Sequence, residues 1–142
     1  DTHTAEVFFN VASAILAHTG RNMNLDGGWH TGLRGFAFHP DFFTNGKLYT
    51  SVMEDRPSNI TGHHYLSDDP SAIQADGVLL EWTYDFDQQE VLTNSYRELF
   101  RIGMPVYDHT IKDIAFNPHA KVGDADYGLL YITHGDGSIQ SA

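Results

Sequence analysis

Two segments of the chain repeat one pattern of proline, glycine and aromatic residues. Phe36-Ala-Phe-His-Pro40 is matched by Ile114-Ala-Phe-Asn-Pro118, and Gly46-Lys-Leu-Tyr49 is matched by Gly128-Leu-Leu-Tyr131. In each copy a β-favouring run stops at a proline and is followed by a second run that opens with glycine, which is typical of a hairpin. Matched positions of proline, glycine and tyrosine are harder to obtain by chance than matched hydrophobicity. The chain is therefore expected to contain two copies of one hairpin unit.

Further short strands are predicted around these repeats. Runs of β-branched and aromatic residues bounded by turn residues lie at residues 6–11, 32–38, 48–53, 78–84 and 97–102. Asn45-Gly46 predicts a hairpin turn between the second and third runs, and residues 12–17 predict only a helical turn. The runs from residue 32 to residue 102 should form one antiparallel sheet in sequence order. The expected fold of residues 1–142 is all-β, with antiparallel four-stranded blades of a partial β-propeller, about one and a half to two blades.

Charge and composition exclude several kinds of function. The chain has 19 acidic and 8 basic residues and a formal net charge of −11, which argues against nucleic acid or an anionic membrane as the main partner. It has no cysteine, so disulfides, thiolate metal sites and cysteine nucleophiles are excluded. No run approaches the roughly 20 apolar residues of a membrane-spanning helix, and we expect no membrane insertion.

Two longer stretches resemble one enzyme family. GLRGFAFHPDFFTNGKLYTSV, residues 32–52, resembles a segment of the soluble quinoprotein glucose and sorbosone dehydrogenases. DHTIKDIAFNPHAKVGDADYGLLYITHGDG, residues 108–137, resembles the next repeat of that family, with residues 121–126 as an insertion. Together the matches bracket most of the chain from Gly32 to Gly137.

The resemblance implies a six-bladed propeller that holds pyrroloquinoline quinone (PQQ) at its axis, with calcium in the cofactor site and elsewhere. Such a protein oxidises sugars or related alcohols, transfers a hydride to the quinone, passes electrons to an acceptor, and works in the periplasm or outside the cell. The resemblance further implies that His109 is the general base and Asp136 orients it. His30 would contact the quinone, at a position where better-known members have Gln.

Elementary chemistry agrees with a His–Asp pair in these positions. Oxidation of an alcohol requires removal of the hydroxyl proton as hydride leaves, and histidine titrates near neutral pH. A carboxylate on the second ring nitrogen fixes the tautomer and stabilises the imidazolium. Because His109 precedes the first strand of its hairpin and Asp136 follows the second, the two should lie side by side. The alternative that His109 and Asp136 are ordinary loop residues stays open.

Other polar clusters indicate structure rather than a site. His63-His64 with Asp68-Asp69 nearby is more consistent with a solvated loop than with a metal site. The spacing of Asp124 and Asp126 is weak evidence for calcium. His39 and His119 occupy equivalent turn positions of the two repeats and are expected to be structural. From these clusters together, no metal site is predicted.

The length of the chain leaves its relation to a full propeller open. Six blades cannot be made from 142 residues, so the chain is either a fragment of a longer gene product, which we favour, or a family member that assembles with other chains. We expect the isolated chain not to bind PQQ or calcium, because the remaining blades are missing. A non-catalytic extracellular propeller, used as a binding module, is the alternative function.

Overall fold

The fold comes from a computed structural model that describes residues 5–25, 31–56, 62–64, 73–106 and 109–135. The elements, in chain order, are α1 (Val11–Thr19), β1 (Leu33–Phe38), α2 (Phe42–Asn45), β2 (Lys47–Asp55), β3 (Ala75–Asp85), β4 (Glu90–Met104), β5 (Ile111–Phe116) and β6 (Leu130–His134). Strands dominate over the two helices, as an all-β fold requires. No helix of the described residues is long and apolar enough to cross a membrane.

Two antiparallel sheets contain all six strands. The first has the order β1-β2-β3-β4, so each strand pairs with its neighbour in sequence, and the second is the β5-β6 hairpin. This confirms the predicted antiparallel sheet in sequence order and the second hairpin. The all-β, antiparallel class predicted from the sequence is therefore correct.

The four-stranded sheet is covered on both faces. Side chains of α1 pack on one face, where Val11, Ile15 and Trp82 belong to one buried cluster. The β5-β6 hairpin packs on the other face, where Met53 and Ile111 belong to a second cluster. Because side chains alternate along a strand, each of the central strands β2 and β3 contributes to both clusters.

The two first strands of the repeated hairpins lie next to each other. A Cβ placed on Gly35 of β1 would lie 2.6 Å from the backbone oxygen of Lys112 in β5 and 3.0 Å from Cγ1 of Ile114. Ser51 Oγ on β2 also donates to the Lys112 oxygen, at 3.4 Å. Only glycine allows so close an approach of one strand to the other.

The predicted strand at residues 6–11 is wrong. Residues 5–10 are not in a strand. The helical turn predicted at residues 12–17 is confirmed, and α1 extends it to Val11–Thr19. The Asn10 side chain caps the helix by accepting a hydrogen bond from the Ser13 amide at 3.0 Å. The β-favouring rings of this segment pack on the sheet face instead, and Phe9 contacts Trp82 edge to face at 4.9 Å.

The hairpin turn predicted from Asn45-Gly46 is confirmed as the connection between β1 and β2. The short helix α2 fills the connection between β1 and β2, and Gly46 ends it with a left-handed backbone, φ 66°. The Gly46 amide donates to the oxygen of Phe42 at 2.7 Å, and a Cβ at position 46 would overlap the backbone oxygen of Tyr84. The strand boundaries differ: β4 begins at Glu90, ahead of its predicted start at residue 97.

Candidate functional site

His109 lies at the point where the two ends of the β5-β6 hairpin meet. It directly precedes this hairpin, and its backbone oxygen accepts a hydrogen bond from the Gly135 amide at 3.1 Å. Its side chain is half-buried. Asp136 and His30 lie outside the described residues, so the expected His109–Asp136 contact and the role of His30 stay predictions. The described backbone brings the residue before Asp136 against His109, as the hairpin argument requires.

The segment after His109 is inserted against the first sheet. Thr110 is 2% exposed and Ile111 is fully buried. A Cβ at Gly77 in β3 would overlap Thr110 Oγ1, so the threonine packs directly on the glycine backbone. His109 is thereby held at the end of the sheet where β2 and β4 finish and β3 begins.

A buried cluster of charged side chains occupies the same end of the sheet, on the face covered by α1. Arg101 is at its centre and is 1% exposed, while Glu54 and Asp76 are fully buried. Arg101 donates from Nη1 to Asp76 Oδ2 at 2.7 Å and from Nη2 to Glu54 Oε2 at 2.8 Å. It also donates from Nε to Glu98 Oε1 at 2.8 Å. Arg21, just after α1, reaches the cluster and donates from Nε to Glu54 Oε2 at 2.9 Å.

Electrostatics within this cluster favour the charged forms of Glu98 and Arg101. Burial opposes ionisation of Glu98, but hydrogen bonding and attraction from Arg101 outweigh it and hold the Glu98 pKa below its usual value. Burial likewise opposes charge on Arg101, yet hydrogen bonds to Glu98 and the attraction of Glu54 raise the Arg101 pKa. Burial, with the negative charge of Glu54 and Glu98, raises the Tyr96 pKa, so its hydroxyl stays neutral. The Arg101–Glu98 pair therefore has the physical character of an ionised, structural interaction.

His63 belongs to this network, which corrects its expected place in a solvated loop. Its side chain is 2% exposed, and Nε2 lies 2.8 Å from Asp76 Oδ1. The next residue, His64, donates from its backbone amide to the Arg101 oxygen at 2.9 Å and stacks near Phe100. His63 thus attaches the loop between β2 and β3 to β3, and His64 attaches it to the outer strand β4. Asp68 and Asp69 lie outside the described residues.

The charged network was not predicted from the sequence, although a signal was present. Arg101 interrupts the otherwise apolar run Leu-Phe-Arg-Ile-Gly-Met, and Glu54 follows the apolar pair Val52-Met53. Charged residues inside buried runs are rare unless they are paired. Which charges pair, however, depends on the register that places Glu54 opposite Asp76.

The other end of the two hairpins carries a cavity rather than a charged cluster. A cavity of about 560 Å³ lies between the ends of β1 and β5, and its lining includes Phe36, Phe38 and Phe116. Tyr127, just after the inserted residues 121–126, donates from its hydroxyl to Asp41 Oδ1 at 2.5 Å and ties the two hairpin ends together. The burial and connectivity here favour packing and binding, with no titratable pair in the lining.

The aspartates of the insertion bind their own loop. Asp126 Oδ2 accepts from Asn117 Nδ2 at 2.6 Å, and Asp124 Oδ2 accepts from the Lys121 amide at 2.8 Å. Across the ranges that the structure describes, no group of three or more His, Cys, Asp or Glu side chains could hold a metal ion. His39 faces Phe116 at 5.3 Å and accepts from the Asp41 amide at Nδ1, consistent with a structural turn.

Comparison with known proteins adds no identification. No protein-family model matches the chain, and no curated protein matches it significantly.

Proposed function

We propose that this chain forms one blade and part of the next blade of a quinone-dependent β-propeller oxidoreductase. One observation carries the proposal: two repeat-equivalent hairpins stack face to face, with first strand beside first strand at Gly35 and Lys112. A radial array of blades places its inner strands in this relation. The resemblance of residues 32–52 and 108–137 to glucose and sorbosone dehydrogenases supplies the substrate class, a sugar or related alcohol, and a periplasmic or secreted location.

In this proposal His109 acts as general base at the mouth of the propeller. It takes the proton of the substrate hydroxyl on a ring nitrogen, while Asp136 accepts from the other ring nitrogen and stabilises the imidazolium. Bound PQQ would supply the two-electron acceptor for the hydride that leaves the alcohol carbon. A half-buried His109 at a hairpin end fits a base that must reach both solvent and substrate.

The cofactor itself requires groups beyond the described residues. Quinone carboxylates need cations and calcium needs several oxygen ligands. Arg21, Arg97 and Arg101 are already paired with carboxylates, and the described ranges hold no metal-ligating group. We therefore assign cofactor binding to His30 and to other propeller blades, and the 142-residue chain alone should not bind PQQ with calcium.

A non-catalytic binding module is the second candidate. The cavity of about 560 Å³ between the two hairpins favours it, because the cavity lies at the end of β1 and β5 remote from His109. A recognition propeller would use such a cavity without needing a base. The two candidates differ in what they predict for His109.

Variants of the full-length gene product test the choice. In the enzyme, His109→Ala should lower turnover on a panel of aldoses and alcohols by roughly 10²–10⁴-fold with little change in quinone affinity, as expected for loss of a general base. Asp136→Asn should reduce turnover comparably or less, because the base remains but loses its orientation. His119→Ala is the matched control: it is exposed, lies in the same hairpin at the far end, and should leave turnover near normal. A fully active His109→Ala protein would retire the catalytic assignment and favour the binding module.

A further inference from the structure

His109 has an unusual backbone conformation for a residue with a side chain. Its φ is +50°, and the only other described non-glycine residue with positive φ is Gln89, in the turn between β3 and β4. The left-handed region brings Cβ close to the backbone, so non-glycine residues occupy it uncommonly, with asparagine, aspartate and histidine enriched among those that do. Such a conformation persists where the surrounding structure enforces it, and it concentrates at functional positions.

Gly135 packs directly against His109. A Cβ built at position 135 would lie 2.7 Å from the His109 Cβ, 2.8 Å from its backbone oxygen and 3.2 Å from its Cα. The three nearest atoms therefore all belong to His109, and two of them are backbone atoms. A side chain at position 135 cannot be accommodated by a rotamer change of a neighbour, because the His109 backbone itself would have to move.

Gly77 constrains the same part of the chain, through its contact with Thr110. The Thr110 side chain packs where the Cβ of any other residue at position 77 would stand. Thr110 Oγ1 is buried and has no hydrogen-bond partner among the described residues, so packing alone fixes its place. Since Thr110 and Ile111 are both buried directly after His109, the chain has little freedom to relax between residues 109 and 111.

We propose that Gly135 and Gly77 are positioning residues that hold His109 in its left-handed conformation and so aim its imidazole at the mouth of the sheet. Gly135 acts by direct contact and by the hydrogen bond from its amide to the His109 oxygen. Gly77 acts by admitting Thr110 to the sheet surface. The geometric part stands on the contacts alone, and its catalytic consequence rests on the proposed function of His109.

The geometric part is tested by nuclear magnetic resonance on the 142-residue chain. In Gly135→Ala and in Gly77→Ala, the three-bond HN–Hα coupling and Cα shift of His109, which report φ, should move. Gly35→Ala is the matched control, because a Cβ there meets Lys112, Ser51 and Ile114 but not His109. Gly35→Ala should lower stability similarly while leaving the His109 signals in place. Unchanged His109 signals in both test variants, or an equal change in Gly35→Ala, would overturn the proposal.

A size rescue separates positioning from general damage. Thr110→Ala removes the atom that a Cβ at position 77 would overlap, so Gly77→Ala/Thr110→Ala should restore the His109 signals of the parent. If Gly135→Ala does not fold, the Gly77 pair of variants decides alone, and failure of the rescue counts against the proposal.

Turnover then links the geometry to chemistry. In the quinone-loaded full-length protein, Gly135→Ala should lower kcat by about 10²-fold with KM little changed, the usual effect of a misplacement near 1 Å. Displaced His109 signals together with normal turnover would uphold the positioning role and refute the proposed function. Normal His109 signals together with reduced turnover would overturn the positioning role.

Discussion

The buried ion network makes Arg101→Met the most demanding test of the sheet structure. Methionine has a similar length and no charge, so the substitution removes the donor while keeping most of the packing. The arginine contacts three carboxylates, at 2.7 Å to Asp76, 2.8 Å to Glu54 and 2.8 Å to Glu98. Its removal leaves Asp76 without its arginine in a site that water does not reach, and leaves Glu54 with Arg21 alone.

The expected loss is large on the scale of protein stability. Removal of one partner from a buried ion pair costs about 3–5 kcal/mol, because the remaining charge stays desolvated without compensation. For a chain of this size, each kcal/mol corresponds to about 2–4 °C, so Tm should fall by about 6–20 °C. Thermal and urea unfolding followed by circular dichroism measure both quantities.

Arg97→Met is the matched control for this prediction. Arg97 lies on the same strand β4, also bonds a glutamate, Glu81 at 3.1 Å, but its side chain is 65% exposed. Exposed ion pairs contribute about 0–1 kcal/mol, so this variant should unfold close to the parent. The triple variant Arg101→Met/Glu54→Gln/Asp76→Asn should recover part of the loss, since it removes the orphaned charges. An Arg101→Met protein as stable as Arg97→Met would refute the buried network.

Two further predictions concern glycine packing and acid. Gly20 and Gly46 both end a helix with a left-handed backbone, but a Cβ at position 20 meets nothing within 4 Å while one at position 46 overlaps the Tyr84 oxygen. Gly46→Ala should therefore lower the free energy of unfolding more than Gly20→Ala. Equal losses in urea titrations would contradict the packing of α2 on β3. The folded-state pKa of Glu98 is below its ordinary value of 4.5, so its contribution to stability is fully present above that pH and is lost as pH falls through the folded-state pKa. Glu98→Gln should therefore reduce the loss of stability on acidification. An unchanged loss of stability in acid would contradict the Arg101–Glu98 interaction.

Strand order was accessible from the sequence because the contacts that specify it are local. Each strand of the first sheet pairs with the next along the chain, so β-favouring runs separated by turn residues suffice to predict the order. The repeat of Ala-Phe-x-Pro and Gly-x-Leu-Tyr likewise predicted the β5-β6 hairpin. The meeting of its two ends followed from antiparallel pairing, and the Gly135–His109 hydrogen bond agrees with it.

Element boundaries depended on tertiary contacts. Residues 6–11 have strong β propensity but no partner strand among the described residues, and packing of the Phe8 ring on Tyr84 and of the Phe9 ring on Trp82 stabilises the segment outside a sheet. The first part of β4 is polar and exposed, so its side chains carry little strand signal. It is a strand because β3 offers a full ladder, with Tyr84 opposite Val91.

The sequence by itself determined the antiparallel sheet order, the repeated hairpin and the position of His109 at its end, because each depends on residues close in the chain. Tertiary structure alone decided which charges are buried together. Glu54 and Asp76 meet because the β2-β3 register sets them opposite each other, and Arg101 reaches both from β4. Tertiary structure also decided that Thr110, next to the left-handed His109, packs on Gly77 of the first sheet, since that contact exists only when the two sheets pack at close range. Register and close packing are sums over many distant contacts, and no local pattern encodes them.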